Sequence, residues 1–401
     1  MRVLIVTWGW RSHLYPLVPL GWAVRASGDE AMVASHPSMV GPITAAGLPA
    51  VAVGPEVDFA EVFGGQVGPV RGGGRPDFAG APGSRTIAAE VTADGGVARL
   101  ADALLPDLVA FARAYRPDLI VYEQLNIAAV VAAAALGVPA VRHLWGPDSS
   151  TELALDEETV IAPRSARFGV SSVRLTGTLT LDPCPPQLQV TLTGPSRPVR
   201  FVPYNGAAVL PDWLWSPPTR PRICLTWGTM IAGLDLHEHF GVPAVLRALA
   251  GLDAEIVLAL ETAQHARLGD LPANVRLVRP PLALHLLLPS CQLLIHQGGA
   301  GTMMTGLAAG VPQLILPQVS DQHFNAWRLV QAGAGVAAPE DTTDPASLRE
   351  FTTDLLGAEH WRKSARELRR TIEAMPSPAD LVPHLRILAG RPGDPPQVGA
   401  V

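Results

Sequence analysis

Residues 293–302 read Leu-Leu-Ile-His-Gln-Gly-Gly-Ala-Gly-Thr, an apolar run that enters a glycine-rich turn and continues into a helical pattern. Such a turn points backbone N–H groups and the positive end of a helix at one spot, and its glycines let a bulky anion approach the backbone closely. A diphosphate is the natural guest, with His296, Gly298, Gly299, Gly301 and Thr302 around it. The competing reading is a tight strand–helix turn with a hydrogen-bonded histidine. No Gly-Lys-Ser/Thr follows, so the pattern is not a P-loop. Downstream, a second apolar run ends in Asp321-Gln322. A carboxylate and an amide there either bind sugar hydroxyls or serve the N-terminus of the next helix, with Asp321 as its cap.

Two residues in the amino-terminal half suit proton transfer. His13 lies just after the first apolar run and Glu123 directly follows another, Leu119–Tyr122. An imidazole titrates near neutrality, which suits a general base, and a carboxylate beside it would orient and stabilise its charged form. Each also has a plain reading, as a polar turn residue and a solvated loop acid. Trp8, Trp10, Trp22 and Trp145 fall near predicted strand ends or on the adjoining helix, where indoles either fill a core or stack on an apolar ligand. His237 and His239 do not share a helix face, no third ligand is evident, and no Asp-x-Asp pattern occurs. No metal is expected.

The elements that must position these groups alternate helix and strand. Val3–Val6, Ala31–Ser35, Pro49–Val53, Leu119–Tyr122 and Ala140–Leu144 read as buried strands. Helices are expected at Leu14–Ser27, Met39–Ala46, Leu104–Tyr115 and Ile127–Leu136, with short strands at Val173–Thr180 and Gln189–Thr193. Gly64–Ser84 has loop composition, and proline and tryptophan gather between Pro195 and Pro221. A second wound unit begins at Arg222 and carries strands at Glu255–Leu260, Val275–Val278, Leu293–Ile295 and Gln313–Leu316. The grammar is that of two doubly wound α/β domains: residues 1–205, a linker at 206–220, residues 221–375, and a final segment 376–401 whose helix crosses back to the first domain.

With 401 residues, 48% of them apolar, the chain can bury two cores. Its formal net charge of −6 and lack of a basic block exclude a nucleic-acid partner. Three scattered cysteines fit a reducing compartment. The opening apolar run is too short for a secretory core, and the longest, Ile127–Val141, contains Gly137 and Pro139 and falls short of the roughly 20 residues a membrane span needs. A cytoplasmic protein is expected.

His296–Thr302, with Gly310–Pro312 and Asp321-Gln322, resembles the donor-site signature of the inverting GT-B glycosyltransferases. Met1-Arg-Val-Leu4, Ser12-His-Leu14, Val18-Pro-Leu-Gly-Trp-Ala23, Ile43-Thr-Ala-Ala-Gly-Leu48, Arg116-Pro-Asp-Leu119, Leu144-Trp-Gly-Pro-Asp148, Tyr204-Asn-Gly206 and Gly333-Ala-Gly335 are similar to the actinobacterial members that move deoxysugars from TDP donors onto polyketide aglycones such as macrolides. The likeness spans nearly the whole chain. It implies a GT-B fold, with two Rossmann-like domains facing each other across a cleft. It implies an acceptor site in the first domain, with His13 as base and Glu123 as its orienter; by their places near strand ends Trp8, Trp10 and Trp145 would then lie on the acceptor side, the core reading staying open. The second domain would hold the nucleotide sugar: His296, the following glycines, Thr302 and Thr229 on the diphosphate, Asp321 and Gln322 on the sugar, Pro281 and Leu282 beside the base. His296, not Gln297, aligns with the family's diphosphate-contacting histidine, and Gln297 stands where a second histidine is common. No cofactor or metal is expected beyond the TDP-sugar co-substrate. Some members require an activating partner protein, and dimers are common. A C-glycosyltransferase, a sugar-nucleotide epimerase and a non-catalytic accessory protein are the alternatives on the same fold.

Overall fold

A computed structural model describes residues 1–58, 61–62, 95–151, 156–228, 240–279, 282–318, 321–338 and 344–390. The expectations for Gly64–Ser84, Thr229, His237, His239, Pro281 and the tail lie outside the described residues, as do parts of the segment 376–401 beyond Gly390.

Two parallel sheets carry the fold. The first has strands β1 (Arg2–Val6), β2 (Glu30–Ser35), β3 (Ala50–Ala52), β4 (Leu119–Glu123), β5 (Ala140–His143), β6 (Leu179–Asp182) and β7 (Ser196–Pro198), in the order β3-β2-β1-β4-β5-β6-β7. The second has β8 (Arg222–Leu225), β9 (Glu255–Ala259), β10 (Val275–Val278), β11 (Leu293–His296), β12 (Gln313–Ile315) and β13 (Gly335–Ala337), in the order β10-β9-β8-β11-β12-β13. Central strands are buried on both faces, which is why they read as unbroken apolar runs. In each sheet the strand order reverses beside the first strand, between β1 and β4 and between β8 and β11. Loops at such a switch point diverge and leave a crevice at the strands' carboxyl ends.

Local physics explains where the elements depart from the sequence reading. Leu14–Ser27 is not one helix. A short helix α1 (Arg11–Leu14) passes through a 3₁₀ turn at Tyr15–Leu17 into α2 (Val18–Ala26). Pro16 has no N–H for a longer ladder, whereas Pro19 sits in the first turn of α2, where none is needed. Helix α3 (Gly96–Tyr115) starts earlier than Leu104, because Val97, Leu100, Ala101, Leu104, Leu105 and Leu108 form one buried stripe. The strands expected at Val173–Thr180 and Gln189–Thr193 begin later, as β6 and β7. Gly177 adopts a left-handed turn (φ 61°) and the buried Tyr122 hydroxyl donates to Leu175 O at 2.5 Å, so the chain is still turning there. Gln189 accepts from Asp148 N (2.9 Å) and donates to Asp182 (2.8 Å) through its side chain, tying a loop instead of pairing in a strand.

The remaining elements that matter for the site are α4 (Ile127–Leu136), α5 (Ala300–Ala309), α6 (Gln322–Gln331), α7 (Glu359–Ala374) and α8 (Pro378–Leu388). Helix α8 follows the second domain in sequence but buries Leu381, Val382 and Leu385 in the first domain's core, and Arg386 pairs with Asp29 at 2.9 Å. Further links lock the domains together. Arg328 of α6 donates to Leu188 O and Gln189 O (2.6 and 2.8 Å), and Asn205 bonds His285 and Thr305 (3.1 and 3.2 Å). Among the described residues no helix is long and apolar enough to cross a membrane.

The β12–β13 pairing leaves no room for a side chain at Gly335, where a Cβ would lie 2.1 Å from Gln313 O. That obstacle is backbone and cannot swing away. Gly335→Ala should therefore weaken the second domain by about 2 kcal/mol, read as an earlier denaturant midpoint for that domain. An unchanged midpoint would show that the two strands can move apart without cost.

Candidate active site

The two switch points open into one cleft of about 710 Å³, lined from both domains. On the first-domain side β1 and β4 are neighbours, with Val6 opposite Tyr122. The residues just past them therefore meet. His13, on α1, places Nδ1 3.5 Å from Glu123 Oε2. Glu123 is almost fully buried; its Oε2 also accepts from Leu125 N at 3.2 Å, and Oε1 has no hydrogen-bond partner among the described residues. Nδ1 thus faces the carboxylate, which leaves Nε2 as the ring nitrogen for the cleft. At 3.5 Å the pair is longer than a tight hydrogen bond, a separation usual before substrate arrives.

Three indoles surround that imidazole. Trp8 lies parallel to it (centroids 5.5 Å, 21°), Trp10 is tilted at 5.4 Å and Trp145 is tilted at 4.4 Å. All three line the cleft. Trp22 does not. It stands outside on α2, its Nε1–H donates to Ala46 O, and its ring meets Tyr204 edge-on.

On the second-domain side the glycine loop after β11 delivers the N-terminus of α5 to the cleft. Gly299, the residue before the helix, offers no capping side chain, so the first N–H groups of α5 have no partner within the helix. Gly299, Ala300, Gly301 and Thr302 line the cleft. A helix end left bare in this way favours anions.

His296, expected from the sequence on the diphosphate, stands behind these residues and not on the cleft surface. Its side chain is wholly buried beneath the loop. Gly298 N donates to its Nδ1 at 3.1 Å, so the proton is on Nε2, which donates to Gln313 Oε1 at 2.8 Å. Gln313 in turn donates to Met303 O in α5. Both ring nitrogens are used within the protein, and burial pushes the imidazole down to about 4. Gly298 also stays behind the surface: its O accepts from Asn325 Nδ2 at 3.0 Å. Gln297 is the residue that turns to the cleft. It is 4% exposed, its Oε1 has no partner among the described residues, and it packs on Gly228, where a Cβ would come within 2.2 Å of its amide nitrogen. Gly228 answers this with φ 64° and no side chain, and its O accepts from Gln264 at 3.1 Å.

Asp321 and Gln322 both line the cleft. Asp321 does not cap α6 through its side chain; it accepts from Asn325 Nδ2 at 3.0 Å, and burial raises its carboxyl despite that bond and the nearby His13. Gln322 Oε1 accepts from Gln318 N at 3.0 Å. Leu282 is a cleft residue as well. Sequence reasoning gave Gln297 no role beyond standing in a histidine's place, and passed over Gln313 and Asn325. An amide gives no signal of its own in a chain, and nothing in the spacing reports that Gln313 lies under the neighbouring strand.

The buried histidines make stability depend on pH. His296 and His143 are both held near 4 by burial, against an ordinary 6.5. The unfolded chain binds these protons first as pH falls, so their contribution is complete above about pH 6.5 and is lost toward pH 4, at about 1.4 kcal/mol per unit for each. Asp182, pushed up to about 6 by burial, takes up its proton in the folded state first and offsets one of them below pH 6. Unfolding free energies from urea titrations at pH 7, 6 and 5 should fall by about 1.4 kcal/mol per unit at the acidic end; a flat or rising trend would contradict the buried neutral state.

Residues 22–228 match the N-terminal domain, and residues 243–388 the C-terminal domain, of the erythromycin biosynthesis protein CIII-like family. The chain is 37% identical to the tylactone mycaminosyltransferase of Streptomyces fradiae, over 97% of this chain and 92% of that one. Its fold superposes on the spinosyn forosaminyltransferase SpnP with a TM-score of 0.80 at 34% identity, covering 98% of this chain and all of that one. The glycosyltransferase VinC, solved in complex with dTDP, gives a TM-score of 0.80 at 33% identity over 97% of this chain and all of that one. The chain belongs to the erythromycin biosynthesis protein CIII-like family and is a glycosyltransferase of the two-domain GT-B architecture.

Proposed function

We propose that the protein moves a deoxysugar from a thymidine diphosphate donor to a hydroxyl of an apolar polyketide-type aglycone, with inversion at the anomeric carbon. One observation carries this reading: His13, backed by Glu123, faces the same cleft as the bare N-terminus of α5. A base and an anion site in one cleft are the two things a single displacement needs. His13 Nε2 takes the acceptor hydroxyl's proton as its oxygen bonds to the anomeric carbon. The bond from that carbon to the diphosphate breaks, and TDP leaves with the electron pair. The new charge on the imidazole is met by Glu123. The charge on the leaving group is met by the N–H groups of α5 and by the amide of Gln297, in a setting where fixed dipoles count for more than in water. The thymidine nucleotide is supported by the likeness to VinC with its dTDP, and the aglycone class by the mycaminosyltransferase.

TDP should raise the melting temperature more than UDP or GDP, in line with about 2.7 kcal/mol at a hundredfold excess over Kd. His13→Ala should keep that shift and lose transfer by about 10²–10⁴-fold. No shift with any nucleoside diphosphate would overturn the donor site. Full activity in His13→Ala would overturn the base, and a product of retained configuration would overturn the single displacement. If the purified chain binds TDP yet turns over polyketide aglycones only with a second protein added, an activating partner is required.

A further inference from the structure

The indoles that line the cleft also pack on the His13 ring. Trp8 and Trp145 are only 3% and 9% exposed, and each spends a ring contact on the imidazole. Both sit just beyond strands, Trp8 after β1 and Trp145 after β5, so the sheet itself holds them in place. His13 has no hydrogen bond at Nδ1 shorter than its 3.5 Å approach to Glu123. Its ring is therefore fixed more by aromatic contact than by hydrogen bonding.

We propose that Trp145 is a positioning residue for proton transfer: its indole, with that of Trp8, holds the His13 ring with one nitrogen toward Glu123 and stabilises the imidazolium formed when the acceptor's proton arrives. This rests on the reading of His13 as base. An indole face attracts a cation within about 6 Å of its centroid, through the negative charge density over the ring. The other charged groups near the ring are Glu123 at the end of β4, Asp321 at the start of α6, and Arg11 on the same short helix. All three side chains are retained when Trp145 is replaced, so a changed midpoint reads the loss of the indole.

The test needs no knowledge of the sugar or aglycone. The chain has 11 histidines, and the Cε1–H signal of His13 in labelled protein is assigned by its loss in His13→Asn. Its titration midpoint is compared in the wild type, Trp145→Phe and Trp145→Leu, with the TDP-induced melting shift as the check that each variant is folded. Losing the aromatic face should lower the midpoint by about half a pH unit in Trp145→Leu. Trp145→Phe, which keeps a ring, should restore much of it. An unchanged midpoint in a folded Trp145→Leu would overturn the proposal. So would a rise, which would mean that the indole acts mainly by keeping water away. Because the readout is the protonation of one ring and not turnover, failure of the base assignment shows separately, as transfer that survives His13→Ala.

Discussion

The hydrogen bond between His296 and Gln313 lies beneath the surface of the cleft, and the donor side is arranged over it. A glycine loop between a strand and a helix has many conformations open to it. Here the buried ring accepts from Gly298 N on one side and donates to Gln313 on the other, and Gln313 reaches on to Met303 O in α5. The neutral imidazole therefore ties β11, the loop, β12 and the helix into one unit. What the loop presents outward, Gln297 and the N-terminal turn of α5, is set by what it has fixed inward. Burial that keeps the ring neutral is part of the same device, since an imidazolium could not accept from Gly298.

The acceptor side uses a different means to the same end. His13 and Glu123 are far apart in the chain and meet only because β1 and β4 are adjacent at the switch point. Aromatic surface then confines the imidazole. The two halves are held in relation by polar links, Arg328 to the 188–189 backbone and Asn205 to His285 and Thr305, and by α8, whose apolar face belongs to the first domain's core. A cleft built this way keeps a base and an anion site at a set separation while leaving its walls free to fit different ligands. That is the general advantage of placing chemistry on loops over rigid sheets.

Much of this was legible in the order of residues. Unbroken apolar runs at regular spacing gave parallel strands buried on both faces. Glycines after β11 marked a close backbone approach, and the types and places of His13, Glu123, Asp321 and Gln322 put them at strand ends. These are local properties, set by periodicity and by backbone freedom. The direction in which a side chain points is not local. His296 is the last residue of β11 and Gln297 the first beyond it, and the two side chains face opposite ways, as successive residues of a strand do. Which one meets the cleft depended on Gln313 lying beneath the loop and on Gly228 leaving space above it, and neither fact is written near residue 296. The indoles followed the same rule. Their composition signalled apolar contact, but only the sheet order β1-β4-β5, which brings the ends of β1 and β5 to either side of β4, made His13 the partner. The sequence determined the fold, the family and the residues that gather at the cleft; the tertiary structure decided which atoms face it, because burial and hydrogen-bond partners come from strands distant in the chain.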